Sequence, residues 1–222
     1  MTPKNPAIAA VFFFTLIFSS WPASGQNKGS SKRDVFEGQI VLYGHSLFTQ
    51  WKTAAVDLKP LPIHNLAFGG SKTNRLTQKF DELVMPYKPR LIVLNTGANF
   101  IGFNRSTPEA FAKVFEELLD KIHKELTETK VLWLSITPCP KAWETVRENQ
   151  LEGTELAKKI IDRRDYVDFI DMDSIAVDKK GELITSIFKK DGIHYVRAGY
   201  EAYIKLLQPI IEAEWKEVKK SR

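Results

Sequence analysis

The fold of this chain is decided by the stretch Ile40-Val41-Leu42-Tyr43-Gly44-His45-Ser46-Leu47, in which an apolar run ends at a glycine and a serine. Four more short apolar runs follow along the chain, at Ile63–Phe68, Leu91–Asn95, Val131–Ile136 and Val167–Ile170. Near-continuous apolar runs of this length are typical of strands in a parallel sheet that is buried on both faces. The five runs therefore predict a five-stranded parallel sheet.

Longer stretches with helical spacing separate these runs. The clearest begins at Thr107, which can cap a helix, and continues with Pro108, which suits the first helical position. From Phe111 to Leu126, apolar residues recur at spacings of three and four, which predicts one buried helical face. Further helices are predicted over residues 74–85, 143–164 and 197–217. Strands that alternate with helices predict an α/β fold, a three-layer α/β/α sandwich with its site beyond the carboxyl ends of the strands.

The composition is that of a soluble globular protein. A chain of 222 residues can bury one substantial core, and 43% apolar with 27% charged residues is ordinary for such a domain. The formal charge is +5, and the basic runs lie only near Lys28–Arg33, Lys189-Lys190 and Lys216–Arg222. Aromatic residues do not alternate with these bases as they would on a nucleic-acid surface, so no nucleic-acid partner is predicted.

The N-terminus has the order of a secretory signal. Lys4 precedes an apolar stretch over residues 7–21, and Ala23-Ser24-Gly25 supplies small residues before Gln26. This order predicts a cleaved signal peptide and a secreted or periplasmic mature chain. The alternative is an uncleaved segment that anchors the protein to a membrane. The predicted division is a signal peptide over 1–25, a flexible leader over 26–36, the folded domain over 37–217 and a basic tail over 218–222.

Residues with catalytic chemistry follow three of the predicted strands and precede the last helix. Ser46 follows the first strand, Gly69-Gly70-Ser71 the second and Gly97-Ala98-Asn99 the third, while Asp191-Gly192-Ile193-His194 lies just before residue 197. Taken singly, each segment is also typical of a turn or a helix cap. Because the carboxyl ends of parallel strands share one edge, we expect these segments to converge. Serine, histidine and aspartate are together the members of a hydrolytic triad.

These segments resemble the SGNH hydrolases, also called the GDSL esterase/lipase family, over nearly all of residues 38 to 212. The stretch Tyr43–Leu47 is similar to the block with the nucleophilic serine, and Asn65–Ser71 and Gly97-Ala98-Asn99 are similar to the second and third blocks. Asp191–His194 matches the fifth block. The resemblance implies a flavodoxin-like sheet and an esterase-type activity that needs neither a metal nor an organic cofactor.

The resemblance assigns roles that agree with the chemistry of the residues. Ser46 is the nucleophile, His194 is its general base, and Asp191 orients the imidazole. The oxyanion hole is formed by the backbone N–H groups of Ser46 and Gly70 and by the side-chain amide of Asn99.

The chain departs from the family pattern at two positions. His45 stands where aspartate is usual, and Phe100 follows Asn99 where aspartate is common. We expect His45 to hydrogen-bond between loops rather than to catalyse, and Phe100 either to pack or to face the substrate. The candidate substrate-lining residues are His45, Phe100, Arg105 and Trp143. His64 and His123 lack carboxylate or cysteine partners at metal spacing, so no metal site is predicted.

The sequence therefore predicts an exported serine esterase that cleaves short acyl esters, such as acetylated carbohydrates, through an acyl-enzyme. Two alternatives stay open. One is a carbohydrate-binding or scaffolding protein on the same fold with weakened catalysis, which the replacements at His45 and Phe100 would favour. The other is a lipase or phospholipase, which would prefer long acyl chains.

Overall fold

The computed structural model describes residues 38–103 and 106–220. The predicted signal peptide, the predicted leader, Arg105 and the last two residues of the predicted basic tail lie outside these described residues. Within them, no helix combines the length and the apolar character that crossing a bilayer requires.

The centre of the domain is one parallel sheet. Its five strands are β1 (Ile40–Gly44), β2 (Ile63–Asn65), β3 (Leu91–Asn95), β4 (Lys130–Leu134) and β5 (Val167–Ile170). Their order in the sheet is β2-β1-β3-β4-β5, and every neighbouring pair is parallel. This order is that of flavodoxin-like folds, so the predicted five-stranded parallel sheet and its class are confirmed.

In the described part of the chain, seven α-helices connect and cover the strands: α1 (Ser46–Gln50), α2 (Ala54–Asp57), α3 (Thr73–Leu83), α4 (Pro108–Glu125), α5 (Pro140–Ile161), α6 (Asp173–Ala176) and α7 (Arg197–Lys220). Short 3₁₀-helices lie at Met85–Tyr87 and Thr185–Ile187, and a π-helix spans Ala98–Phe103. The α4 helix begins as expected, because the Thr107 hydroxyl accepts a hydrogen bond from the N–H of Ala110 at 3.2 Å and Pro108 takes the first position.

The connections place the helices in two layers. The chain moves from β1 to β2 in one direction and from β2 through β5 in the other, so right-handed crossovers put the intervening helices on opposite faces. Helices α3, α4 and α5 pack side by side on one face. On the other, Phe48 and Trp51 of the β1–β2 connection contact the ring of Tyr203 in α7. The predicted three-layer sandwich is therefore present, and all residues of β1 and β3 are buried at its centre.

Several element ends differ from the sequence-based expectation. β2 ends at Asn65, although the N–H groups of Leu66 and Phe68 still donate to the carbonyls of Leu42 and Gly44 in β1. The side chain of Asn65 donates to the carbonyl of Phe48 and accepts from the N–H of Ala67.

The helices also differ at their ends. α5 begins three residues earlier than expected because Pro140 occupies its first position. α7 continues to Lys220, because Val218 is buried and its carbonyl accepts a hydrogen bond from Arg90 at 2.6 Å. Residues 218–220, which the sequence assigns to a basic tail, are the last turn of this helix.

The topology also fixes where a site can lie. The direction of the chain reverses at β1 and β3, which are neighbours in the sheet although β2 lies between them in sequence. The crevice beyond the carboxyl ends of two such strands is the usual ligand site of open α/β sheets.

Candidate active site

The three predicted catalytic side chains form one hydrogen-bonded chain at this crevice. Ser46 is the first residue of α1, directly after β1, while His194 and Asp191 lie on the loop that leads into α7. The Oγ of Ser46 is 2.9 Å from Nε2 of His194. The Nδ1 of His194 is 2.8 Å from Oδ2 of Asp191. The two ends of the domain, 148 residues apart in sequence, therefore meet at these side chains.

Hydrogen bonds to Asp191 determine the proton positions in this chain. The backbone N–H of His194, the side chain of His194 and the N–H of Ile193 bond to the carboxylate and hold its pKa well below the usual range for aspartate. An ionised carboxylate can only accept, so Nδ1 of His194 must carry a proton and donate it to Asp191. In the neutral imidazole, Nε2 is then an acceptor that faces the hydroxyl of Ser46.

Backbone hydrogen bonds fix the loop that carries His194. The N–H of Lys189 donates to the carbonyl of His194 at 2.6 Å, and the N–H of Gly192 donates to Lys189 at 2.9 Å. The carbonyl of Gly192 accepts from the N–H of Lys141 at the start of α5. The loop is thereby attached to the layer on the opposite face of the sheet.

The turn that presents Ser46 depends on Gly44 and His45. A Cβ at Gly44 would lie 2.2 Å from the carbonyl oxygen of Asn95, so only glycine allows β1 and β3 to approach this closely. His45 is 3% exposed and is the N-cap of α1, where its Nδ1 accepts from the N–H of Leu47 at 3.5 Å. Burial lowers the pKa of His45 to about 4, so the ring is neutral near pH 7 and can act as this acceptor.

The candidate oxyanion donors lie together beside Ser46. Ser46, Gly70 and Asn99 line the same cleft. One amide N–H of Asn99 donates to the carbonyl of Ser71 at 2.9 Å, and the Ser71 hydroxyl donates to the carbonyl of Gly44 at 2.9 Å. These bonds connect the ends of all three strands. A side-chain amide has two N–H groups, so the second of Asn99 is available to a ligand.

Gly70 has a conformational reason to be glycine. Its φ is +68°, a left-handed conformation that other residues adopt with strain, and none of the described residues would lie within 4 Å of a Cβ there. The backbone conformation is therefore the reason that this position favours glycine.

The cleft itself is open and has a volume of about 430 Å³. Besides the predicted residues, it is lined by four that sequence reasoning missed: Gln50, Lys72, Phe103 and Ile193. Gln50 lies one helical turn after Ser46, Lys72 directly follows the second block, and Ile193 precedes His194. Phe103 is a large apolar side chain that is 42% exposed. This exposure indicates a site at the cleft, but it can be seen only in the structure.

Of the remaining candidates, Phe100 and Trp143 do not line the cleft. Phe100 is buried and packs against the ring of Phe111 at 6.3 Å, the first of the two expectations for it. Trp143 lies under the guanidinium of Arg147, 4.8 Å from its ring centre, and is not among the described residues that line the cleft. Arg105 lies outside the described residues. Within the described ranges, no group of three or more His, Cys, Asp or Glu side chains is placed to hold a metal ion.

The fold and the position of the site are those of the flavodoxin-like α/β enzymes. Residues 36–202 match the model of the GDSL-like lipase/acylhydrolase family, and the chain belongs to that family. The predicted family membership and the assignment as an enzyme of the esterase and acylhydrolase type are thereby confirmed. A comparison with curated protein sequences finds no significant match.

Solved structures of similar fold include three hydrolases. A lipase/acylhydrolase from Enterococcus faecalis is 20% identical with a TM-score of 0.66, over 80% of this chain and 96% of that one. A GDSL-like lipase from Bacteroides thetaiotaomicron is 20% identical with a TM-score of 0.64, over 79% and 88%. A carbohydrate esterase family 3 protein from Talaromyces cellulolyticus is 11% identical with a TM-score of 0.61, over 81% and 99%. At these identities the likeness shows a shared fold.

Proposed function

We propose that this chain is an exported serine esterase that removes short acyl groups, such as the acetyl groups of acylated carbohydrates. The observation that carries the proposal is the hydrogen-bonded chain from Ser46 through His194 to Asp191. It connects a nucleophile, a base with the correct tautomer and an ionised carboxylate through two successive hydrogen bonds.

The first half of the proposed reaction forms an acyl-enzyme. As the Oγ of Ser46 attacks the ester carbonyl carbon, its proton passes to Nε2 of His194. The carboxylate of Asp191 stabilises the imidazolium through Nδ1. The negative oxygen of the tetrahedral intermediate accepts hydrogen bonds from the N–H groups of Ser46 and Gly70 and from the Asn99 amide. Collapse of the intermediate releases the alcohol, which takes the proton from His194.

The second half releases the acid. A water molecule gives a proton to Nε2 of His194 and attacks the carbonyl carbon of the acyl-Ser46 ester. The same donors stabilise the second oxyanion. The bond to Oγ then breaks, Ser46 regains its proton from His194, and the carboxylic acid leaves.

Two observations support a polar alcohol. The open cleft beside Ser46 carries the polar side chains of Gln50, Lys72 and Asn99, which suit a hydroxyl-rich alcohol. One protein of the same fold is a carbohydrate esterase.

The order of residues 1–25 supports export, and mass spectrometry of the extracytoplasmic protein should find a mature N-terminus near Gln26. A full-length chain found only in the membrane fraction would favour the anchored alternative.

The alternative of a binding protein with weak catalysis has less support from the structure than from the sequence. In the sequence, this alternative depends on His45 and Phe100, which stand where the family usually has aspartate. His45 caps the helix of the nucleophile, and Phe100 belongs to the core, so both positions have structural uses that leave Ser46, His194 and Asp191 hydrogen-bonded.

Hydrolysis of p-nitrophenyl acetate tests the proposal. Ser46→Ala should lower kcat by a factor on the order of 10³–10⁶, because the substitution removes the attacking hydroxyl. The matched control is Ser174→Ala, which removes an exposed hydroxyl that donates only to the carbonyl of Asp171. Equal turnover by Ser46→Ala and the control would contradict the proposal.

A further inference from the structure

A second and much smaller cavity adjoins the open cleft at Ser46. Its volume is about 10 Å³, close to the lower limit for a space that can hold one water-sized group. Four residues line both cavities: Ser46, Asn99, Phe103 and Ile193. The nucleophile and the candidate oxyanion amide therefore stand where the two cavities meet.

The inner wall of the small cavity is closed and free of charge. It consists of His45, Leu47, Ala98, Thr137 and Cys139, which are only 2–8% exposed, so the described residues leave its open side toward the cleft. Burial raises the pKa of the Cys139 thiol and lowers that of the His45 imidazole, so both side chains are neutral near pH 7. Such a wall accepts an apolar group and excludes an ion.

The two cavities match the two halves of an ester. When Ser46 attacks a carbonyl carbon whose oxygen faces Asn99, the acyl chain and the alcohol must extend in different directions from that carbon. One space holds about 430 Å³ and is lined by polar groups, while the other holds about 10 Å³ and is largely apolar. A carbohydrate or any other bulky alcohol fits only the open cleft. The acyl chain must then occupy the small cavity.

We propose that the small cavity is the acyl site, that it admits an acetyl methyl group and little more, and that Cys139 and Thr137 set this limit. The assignment rests on the proposed esterase function. It identifies the substrate class as acetyl esters of large polar alcohols, and it makes Cys139, the only cysteine of the chain, a specificity-determining residue.

Acyl-chain selectivity tests this assignment with the leaving group held constant. The measured quantity is kcat/KM for p-nitrophenyl acetate, butyrate and octanoate. For the wild-type enzyme we expect at least about a tenfold preference for acetate over butyrate, because a misfit of one or more methylenes is worth roughly 10- to 200-fold. Cys139→Ala and Thr137→Ala each enlarge the cavity from a different residue, so each should raise the butyrate-to-acetate ratio about tenfold. The second variant serves if the first does not fold.

The control is Ile160→Val, which removes one methylene from a buried residue of α5 that does not line either cavity. Its selectivity ratio should equal that of the wild type. Wild-type turnover of butyrate or octanoate as fast as acetate would overturn the acyl-site assignment and favour the lipase alternative. An unchanged ratio in both enlarged variants would also overturn it. Absence of Ser46-dependent turnover of every ester would instead overturn the esterase proposal and the acyl site together.

Discussion

The hydroxyl of Tyr200 donates a hydrogen bond of 2.9 Å to the backbone carbonyl of Leu47. Tyr200 lies in the first turn of α7, just after the loop of His194, and Leu47 is the residue after Ser46. Trp51 stacks on the Tyr200 ring at 5.6 Å with an interplanar angle of 20°. Contacts of Tyr200 with α1 and with Trp51 at its C-terminal end therefore help to hold Ser46 and His194 at their observed distance.

Tyr200→Phe should lower kcat about tenfold with little change in KM, because a misplacement of Ser46 relative to His194 affects the reaction more than binding. The ring packing is kept, and the lost bond should reduce the free energy of unfolding by about 1 kcal/mol. Tyr166→Phe is the matched control, because its hydroxyl also donates to a helical carbonyl, that of Leu119, far from the site. Equal kcat for the two variants would mean that the Tyr200 bond has only a structural role.

Asp191→Asn should lower kcat by roughly 10²–10⁴ while the protein stays folded. The asparagine amide can donate to Nδ1 of His194, which would leave the proton on Nε2 and remove the acceptor for Ser46. Asp171→Asn is the control, since its Oδ1 likewise accepts from a backbone N–H two residues ahead and lies outside the cleft. Loss of activity in the control alone would refute the assigned role of Asp191.

The decrease of kcat/KM at low pH should reflect the uptake of a single proton by the enzyme. Because hydrogen bonds keep the pKa of Asp191 far below the usual range, Asp191 stays ionised over the whole pH range of the assay. Loss of activity in acid should then require protonation of the general base alone, so log(kcat/KM) should fall with a limiting slope of 1 as the pH decreases. A slope of 2 would indicate that Asp191 titrates in the same range, and a flat profile would exclude His194 as the base.

The buried His45 should make the protein less stable in mild acid. Its pKa is about 4 in the folded protein and about 6.5 when unfolded, so between these values the unfolded chain binds more protons. The contribution of this group to the free energy of unfolding is fully present above pH 6.5. It decreases as the pH falls toward 4, by about 3 kcal/mol at most. His64, whose pKa burial also lowers, adds to the same slope, so the comparison needs a single-site variant.

His45→Asn provides that variant, because asparagine is also a good N-cap and does not titrate. Urea unfolding between pH 4.5 and 7.5 should give a smaller pH dependence for His45→Asn than for the wild type. Parallel curves for the two proteins would show that His45 is not held neutral by the fold.

The fold and the hydrogen-bonded arrangement of Ser46, His194 and Asp191 could be predicted from the sequence because both depend on local patterns. Apolar runs indicate strands, and a parallel sheet brings the carboxyl ends of β1, β2 and β3 to one edge, with Ser46, Gly70 and Asn99 just beyond them. The pairing of Asp191 with His194 follows from their separation by three residues in one tight turn.

The substrate-facing surface could not be predicted in the same way. Phe100 and Phe103 are both close to Asn99 in sequence, yet Phe100 enters the core and Phe103 faces the cleft. Their directions depend on the π-helix Ala98–Phe103, which departs from the usual helical spacing. The small cavity combines residues from four separate segments, including those of Cys139 and Ile193. Its size is a result of packing between them and leaves no pattern in the sequence.

The most direct test of the central claim is covalent labelling with a fluorophosphonate, followed by intact-mass and peptide mass spectrometry. A serine activated by His194 and Asp191 should react once per chain, with the adduct on Ser46, and Asp191→Asn should react much more slowly than the wild type. Labelling of another residue, or the absence of any adduct on a folded protein, would contradict the assignment of Ser46 as an activated nucleophile.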